Sequence, residues 1–246
     1  MIRKLKISSI REIKKYLSIN YDEIKHRMII IEEAHLLSVE AQNALLKSLE
    51  EPPEGVIFVL ISDKPEMLLT TIKSRCWELT FSPLTDENIE NILTNNFMID
   101  GTTAKSVIPF SDGSIHRVFI LLNFGFENLI DATINILRYS MGKRYNTAIK
   151  IFHSAIEENP KILLPIIIQL MIIWFTDVQK QKFGFSNIQF QKSLNTINKF
   201  IEKFNSAELD KIIFQLTDLN KNIDFSINLN LLILNIIFNL SAIVKR

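Results

Sequence analysis

The sequence contains one cysteine and six glycines among 246 residues. The single cysteine, Cys76, excludes a disulfide within one copy of the chain and a zinc site made only of its cysteines. Scarce glycine leaves few positions for tight turns, which argues against a turn-rich β-sandwich. Hydrophobic residues make up 47% and charged residues 22% of the chain, as in ordinary globular proteins. The composition therefore predicts a folded and mainly helical protein.

The sequence also lacks an excess of positive or negative residues, since the formal net charge is only +1. Nucleic-acid binding depends on clustered Lys and Arg, so any such contact must be local or indirect. The amino terminus lacks the apolar segment of a secretory signal. The apolar stretches 162–175 and 227–244 are interrupted by Pro165 and by several asparagines, which predicts buried helices rather than membrane spans. These features, with the lone cysteine, favour a soluble protein of the reducing cytoplasm.

A glycine-rich phosphate-binding loop, GxxxxGK followed by Ser or Thr, is absent as well. No two glycines are five residues apart, because they lie at positions 55, 101, 113, 125, 142 and 184. In P-loop enzymes that loop holds the phosphates of the nucleotide. The sequence therefore predicts that this chain does not hydrolyse ATP by the standard route.

Apolar patterns predict a small α/β unit near the amino terminus. Met28–Ile31 and Val56–Ile61 are continuous apolar runs, typical of parallel strands that are buried on both faces. Between them, Ser38 is placed to cap a helix, and Pro52 is placed to end it. The apolar stripe of that helix consists of Ala41, Ala44, Leu45 and Leu49. The pattern thus predicts a β-α-β unit.

Shorter signals flank this unit. A preceding amphipathic helix is predicted with Ile10, Ile13 and Leu17 on one face. The alternation of Trp77, Leu79 and Phe81 with polar residues predicts another short strand. After Pro83, a helix start at Thr85 is followed by helical periodicity almost to the end of the chain, with breaks near Gly101, 109–113, Gly142, Pro160 and 183–186.

Two acids, Glu32 and Glu33, follow the first predicted strand, where α/β proteins place ligand-binding groups. In nucleotide hydrolases such a pair holds Mg²⁺ with the first acid and orients water with the second. The alternative is a solvated acidic strand end that begins a loop. His35 has no second helical histidine at metal-ligand spacing, which favours a loop residue over a metal ligand.

The triplet of Ser74, Arg75 and Cys76 lies at a boundary between predicted elements. A guanidinium is planar and permanently charged, so it suits phosphate oxygens, and an arginine supplied across an interface stabilises charge during phosphoryl transfer. The alternative is a surface arginine paired with Glu78 or another acid. Cys76 has no evident partner histidine, which favours a buried apolar side chain over a nucleophile.

Residues 29–84 read IIIEEAHLLSVEAQNALLKSLEEPPEGVIFVLISDKPEMLLTTIKSRCWELTFSPL. This segment resembles the AAA+ core of bacterial DNA polymerase III clamp-loader subunits. Within that family the segment is most similar to the delta prime type of subunit. The resemblance implies that Glu32 and Glu33 occupy the Walker B positions, with Glu32 in place of the usual Asp. It places Ser62 near the sensor 1 position. It identifies Arg75 as the arginine finger that acts on a neighbouring subunit.

The resemblance also implies a domain order: a partial AAA+ α/β core at 1–83, a helical lid at 84–140 and a helical collar at 141–246 that joins subunits. SDGSIHR at 111–117 resembles the sensor 2 segment, with His116 at the usual arginine position and Arg117 one place further. The chain begins inside the family's AAA+ domain, so we expect an incomplete parallel sheet and no zinc module. The expected fold class is α/β plus all-α.

The function implied is that of a non-catalytic subunit that supports ATP-driven loading of the sliding clamp onto primed DNA. Its expected partners are the gamma/tau and delta subunits and, indirectly, the clamp and primer–template DNA. ATP and Mg²⁺ are expected in the partner subunit, and no cofactor or metal in this chain. Two alternatives stay open: an autonomous nucleotide hydrolase whose phosphate site is the basic segment Arg3 to Lys15, and a degenerate helical scaffold.

Overall fold

The computed structural model describes residues 10, 12, 13, 15, 26–223 and 228–243. The chain divides into two units, Met1–Phe81 and Ser82–Arg246. Each unit has its own hydrophobic core within the described residues. The first boundary lies close to the predicted end of the α/β core at residue 83, whereas the division at residue 140 stays a prediction.

Unit 1 contains a two-stranded parallel sheet, with β1 at Arg27–Ile31 and β2 at Val56–Leu60. Helix α1, Val39–Glu50, connects the strands, so the predicted β-α-β unit is confirmed. Ser38 caps α1, since its Oγ accepts a hydrogen bond from the Ala41 N–H at 3.2 Å. A single helical turn, α2, follows at Thr70–Lys73.

The core of unit 1 lies on one side of this sheet. Ile31 packs there with Ala41 and Leu45 of α1. Ile10 belongs to the same core and is helical, as predicted, whereas Leu17 lies outside the described residues. The prediction that the strands are buried on both faces is wrong, because Met28 and Ile30 are 59% and 55% exposed. Alternate strand residues point to opposite faces, and only one face of β1 is covered.

The strand predicted at residues 77–81 is also absent from the structure. Trp77, Leu79 and Phe81 are instead 93%, 69% and 89% exposed. A strand is stable only when its backbone groups pair with a neighbouring strand. In the described part of the chain β1 and β2 pair with each other and with no third strand. The apolar alternation is therefore present without the partner that would make it a strand.

Unit 2 is helical. Thr85 caps its first helix as predicted, because its Oγ1 accepts a hydrogen bond from the Asn88 N–H at 3.3 Å. Gly101 and Pro160 each begin a helix, in agreement with the predicted breaks. The described helices are α3 Asp86–Phe97, α4 Gly101–Val107, α5 Ile115–Asn123, α6 Phe126–Met141, α7 Tyr145–Ile156, α8 Pro160–Lys182, α9 Leu194–Lys203, α10 Leu209–Lys221 and α11 Leu229–Ala242.

Helix α8 is the central helix of unit 2. By length and composition alone it could cross a membrane, since its most apolar window has a mean hydropathy of 1.9. However, 67% of that window is buried inside the protein, where α8 contacts α6, α7, α9 and α10. Helix α11 is shorter and buries Ile233, Ile236 and Leu240. The burial of both helices is typical of core helices, as predicted for these stretches.

Candidate functional site around Arg75

The position of Arg75 is fixed by the short helix that precedes it. Ile72 of α2 is 1% exposed and lies in the core of unit 1. The Arg75 N–H donates to the Ile72 carbonyl oxygen at 3.0 Å, so the turn continues to Arg75. The backbone is thereby anchored, while the side chain leaves the protein at its surface.

A buried glutamine attaches this turn to α1. Gln42 is 2% exposed. Its Nε2 donates to the Leu37 carbonyl oxygen at 3.2 Å, and its Oε1 accepts a hydrogen bond from the Leu69 N–H at 2.7 Å. Leu69 is the residue immediately before α2. Gln42 was not among the predicted site residues, although a polar residue beside the apolar stripe of α1 was an available signal.

The guanidinium of Arg75 contacts groups of its own chain. Its Nε donates to Glu50 Oε1 at 2.7 Å, and its Nη2 contacts the same oxygen. Its Nη1 donates to the Thr71 carbonyl oxygen at 2.9 Å and to Ser74 Oγ at 3.4 Å. In the single chain, therefore, Arg75 pairs with an acid, but that acid is Glu50 rather than Glu78.

The Arg75–Glu50 pair is open to solvent. The side chains are 31% and 46% exposed. A surface ion pair of this kind contributes about 0–1 kcal/mol, because water and salt weaken the attraction. The guanidinium can consequently exchange Glu50 for a stronger anionic partner at small cost.

The two other members of the triplet have structural surroundings. Ser74 follows the last residue of α2, and its Oγ donates to the Thr71 carbonyl oxygen at 3.2 Å. Cys76 is partly buried against the core of unit 1, and burial raises the pKa of its thiol. A raised pKa keeps the thiol protonated and therefore unreactive.

The predicted acidic pair lies at the carboxyl end of β1. Glu32 and Glu33 are both exposed and form a turn. Glu33 has a positive φ of 48°, which is uncommon for a residue with a long side chain. Among the described residues, no group of three or more His, Cys, Asp or Glu side chains is arranged to hold a metal ion.

A polar cluster joins this end of β1 to the end of β2. His35 lies in a 3₁₀ turn, and its side chain is 9% exposed. Its Nδ1 is 3.3 Å from Ser62 Oγ and 3.2 Å from Asp63 Oδ1. The parallel arrangement brings these residues together, and sequence reasoning missed the contact.

The cluster does not have the geometry of a catalytic triad. In a triad, the hydroxyl and the carboxylate bind opposite nitrogens of the imidazole. Here both Ser62 and Asp63 contact the same nitrogen of His35. The arrangement therefore ties two strand ends together and does not activate Ser62 as a nucleophile.

The sensor 2-like segment lies in unit 2. Ser114 Oγ accepts a hydrogen bond from the Arg117 N–H at 3.2 Å and caps α5. Arg117 Nη1 donates to Asp112 Oδ2 at 3.1 Å, whereas His116 is exposed. Arg117 is thus engaged with the turn that precedes its own helix, and a sensor 2 role for either residue stays a prediction.

Two protein-family profiles match this chain. One, described as "DNA polymerase III, delta subunit", matches residues 2–85. The other, described as "DNA polymerase III, delta subunit, C terminal", matches residues 134–242. The first match covers nearly all of unit 1 and the first four residues of unit 2, and the second lies within unit 2.

Curated relatives include two DNA polymerase III subunits. The gamma subunit of Buchnera aphidicola subsp. Schizaphis graminum is 33% identical over 126 residues, which are 48% of this chain and 34% of that protein. The tau subunit of Bacillus subtilis is 40% identical over 122 residues, which are 48% of this chain and 22% of that protein. The chain thus spans about a third or less of the length of these relatives.

The fold is also found in a solved structure. The DNA polymerase III gamma subunit-related protein of Thermotoga maritima has a TM-score of 0.50 at 18% identity, covering 98% of this chain and 81% of that one. This likeness, together with the short parallel sheet of unit 1 and the helices of unit 2, confirms the predicted fold class of α/β plus all-α.

Proposed function

The chain belongs to the clamp-loader family of DNA polymerase III subunits, and from that premise we propose that it is a subunit of the delta prime type. In this role it hydrolyses no ATP and supplies Arg75 to a nucleotide bound by a neighbouring subunit. The loader uses that hydrolysis to place the sliding clamp on primed DNA.

The observation that carries this proposal is the placement of Arg75. Its backbone is anchored by the buried Ile72, while its guanidinium lies at the surface and is held only by an exposed carboxylate and nearby oxygens. A trans-acting arginine needs this combination, because it must be positioned firmly and still be available to a phosphate of another chain. A γ-phosphate offers several anionic oxygens and can replace Glu50.

The sequence supports placing the nucleotide elsewhere. No glycine-rich loop is present among its 246 residues. The Walker B-like Glu32 and Glu33 are exposed in a turn. Without a phosphate cradle, these acids have no positioned Mg²⁺–nucleotide complex to act on. We propose that the partner subunit holds ATP and Mg²⁺.

The proposed partners follow from the same role. A gamma/tau subunit would hold the nucleotide, and a delta subunit would complete the loader. The helical unit 2 would join these subunits, and contact with the clamp and the primer–template would be made through the assembly. We expect this work to take place in the cytoplasm.

Hydrolysis of ATP by the reconstituted loader tests the proposal. Arg75→Ala should lower DNA-stimulated turnover at the affected site by about three orders of magnitude or more, as loss of an arginine finger does. Lys73→Ala is the matched control, because it removes an exposed cation two residues away. Gel filtration should show that both variants assemble. Unchanged turnover in the assembled Arg75→Ala loader would refute the finger role.

The two alternatives predict other results. An autonomous hydrolase would bind ATP in the micromolar range as an isolated chain, which calorimetric titration measures directly. Most of its suggested phosphate site, Arg3 to Lys15, lies outside the described residues. A degenerate scaffold would not co-purify with the gamma/tau and delta subunits. Our proposal predicts no such ATP binding and a stable complex.

A further inference from the structure

We propose that unit 2 carries a docking pocket for an acidic segment of another protein. The pocket has a volume of about 350 Å³ and lies among the end of α6, the middle of α8 and helix α9. One bulky apolar side chain of the partner enters it, and flanking carboxylates contact the cations at its edge. This inference goes beyond the proposed function and does not depend on Arg75.

The floor of the pocket is apolar and rigid. Leu137 of α6, Trp174 of α8 and Phe200 of α9 line it and are 1%, 2% and 5% exposed. The rings of Trp174 and Phe200 pack edge to face with centroids 5.0 Å apart. Close-packed side chains of this kind hold their positions without a ligand. The cavity is therefore preformed, and its volume lies in the range of binding pockets for small apolar groups.

The edge of the pocket carries one sign of charge. Arg138, Lys199 and Lys203 are exposed and line it, and no Asp or Glu does. None of the three forms an ion pair with a carboxylate of the described residues. By contrast, Lys192 pairs with Glu127 at 2.7 Å elsewhere in the same unit. Charge complementarity therefore favours an anionic occupant.

The two lysines at the edge of the pocket lie close together on α9. Lys199 and Lys203 are four residues apart on α9, so they share one helix face. Like charges at that spacing destabilise a helix. Glu202 lies on the same helix but does not line the pocket. A carboxylate bound near both lysines would offset the repulsion between them.

A peptide fits this surface better than a nucleic acid. A phosphate backbone would contact the three cations but would leave the apolar-lined cavity between the helices unfilled. A segment such as Asp-Glu-Phe-Leu-Asp-Glu satisfies both parts, since its phenylalanine enters the cavity and is itself removed from water. We therefore commit to an acidic protein segment with an aromatic or aliphatic residue at its centre.

Fluorescence anisotropy with a labelled peptide of that sequence tests the proposal on the full chain. We expect saturable binding that weakens as salt rises. The double variant Lys199→Glu and Lys203→Glu should lose at least about tenfold in affinity. The matched control is Lys150→Glu with Lys161→Glu, which makes the same change of net charge at exposed positions outside the pocket. Its affinity should stay near that of the wild type.

A second variant tests the apolar floor separately from the charges. Thr196→Trp should fill the pocket and lower peptide affinity, whereas Asn195→Trp, an exposed neighbour outside the pocket, should not. Circular dichroism shows whether each variant folds. Equal binding of Thr196→Trp and wild type, or of tetraglutamate and the phenylalanine peptide, would overturn the proposal. The proposal would also be overturned if a 20-base-pair DNA duplex bound more tightly than the peptide and if that binding were lost in the Lys199→Glu and Lys203→Glu variant.

Discussion

The guanidinium of Arg75 contacts both one carboxylate and the backbone of the turn that precedes it. The contacts to Thr71 and Ser74 fix the direction of the side chain, whereas Glu50 satisfies its charge. These two tasks have different consequences for a trans-acting arginine. The backbone contact positions the group, and the carboxylate competes with any incoming phosphate.

Glu50→Gln separates the two tasks. The variant removes the competing charge and leaves Arg75 and its turn in place, so we expect loader ATPase activity at or above the wild-type level. The stability of the isolated chain should change by less than about 1 kcal/mol, since the pair is exposed. Steady-state ATPase assays and urea unfolding measure the two effects, with Glu51→Gln as control. A loss as severe as that of Arg75→Ala would show that Glu50 is needed to position the arginine.

Local residue roles were predictable, and contacts between distant residues were not. The caps at Ser38 and Thr85 depend on a side chain and a backbone group three residues away, which sequence spacing determines. Gln42 with Leu69, and His35 with Ser62, are each 27 residues apart. Those contacts exist only because a parallel sheet and its crossover helix bring the segments together.

At the scale of elements, the turn before α5 depends on a glycine. Gly113 has a φ of +74°, and an added Cβ would lie 2.3 Å from the Cβ of Pro83. The Gly113 carbonyl oxygen also accepts a hydrogen bond from the Leu84 N–H at 3.0 Å. The start of unit 2 and the sensor 2-like turn are therefore packed too closely for any side chain at this position.

Gly113→Ala should accordingly lower the free energy of unfolding by more than about 1 kcal/mol, because both the backbone and the packing oppose the methyl group. Gly101→Ala is the matched control. It lies at the start of α4, where an added Cβ meets no heavy atom within 4 Å, so it should stabilise the protein by up to about 1 kcal/mol. Urea unfolding of the two variants measures the difference. Shifts of the same sign would contradict this account.

A buried carboxylate fastens the loop after α8. Asp177 is fully buried, and its Oδ2 accepts hydrogen bonds from the Gln189 and Phe190 N–H groups at 2.9 and 2.8 Å. Desolvation raises the pKa of Asp177, although the Phe190 N–H and Lys180 oppose the shift. Because the folded-state pKa is raised, the folded protein binds this proton more tightly than the unfolded chain. Stability from this group is therefore lost as the pH rises from about 4, the ordinary value.

Asp177→Asn should remove that pH dependence, because the amide oxygen still accepts the two hydrogen bonds but carries no charge. The melting temperature of the variant minus that of the wild type should therefore be larger at pH 7 than at pH 4. Thermal unfolding followed by circular dichroism across this range measures the effect. Asp131→Asn, at an exposed position of α6, controls for the loss of one surface charge. If the melting-temperature difference between variant and wild type were the same at both pH values, Asp177 would be excluded as a source of the pH dependence.

Helices were predicted well, because their periodicity lies in their own sequence. The strand at residues 77–81 was predicted wrongly, because a strand forms only beside a neighbouring strand. Helices from Thr85 onward follow from apolar spacing that each helix carries in its own sequence. The alternation at Trp77–Phe81 predicted a strand that has no described pairing partner. Similarly, the apolar runs of β1 and β2 could not reveal that only one face is covered. Strand formation and burial depend on other elements, which the local pattern does not contain.

At the scale of the whole molecule, the two units divide the proposed work. Unit 1 presents Arg75 from a small core and also exposes Met28, Ile30 and Trp77. Met28 and Ile30 share one face of β1, and exposed apolar patches commonly mark surfaces that bind other proteins. Unit 2 has the larger core and the pocket edged by Arg138, Lys199 and Lys203. Both features are expected of a chain that acts within an assembly.

The structure of the reconstituted loader with a non-hydrolysable ATP analogue measures the central claim most directly. The quantity of interest is the distance from the Arg75 guanidinium to the γ-phosphate of the nucleotide in the neighbouring subunit. We predict that Arg75 leaves Glu50 and comes within hydrogen-bond distance of that phosphate, about 2.7–2.9 Å. An arginine still paired with Glu50 beside an occupied neighbouring site would contradict the account.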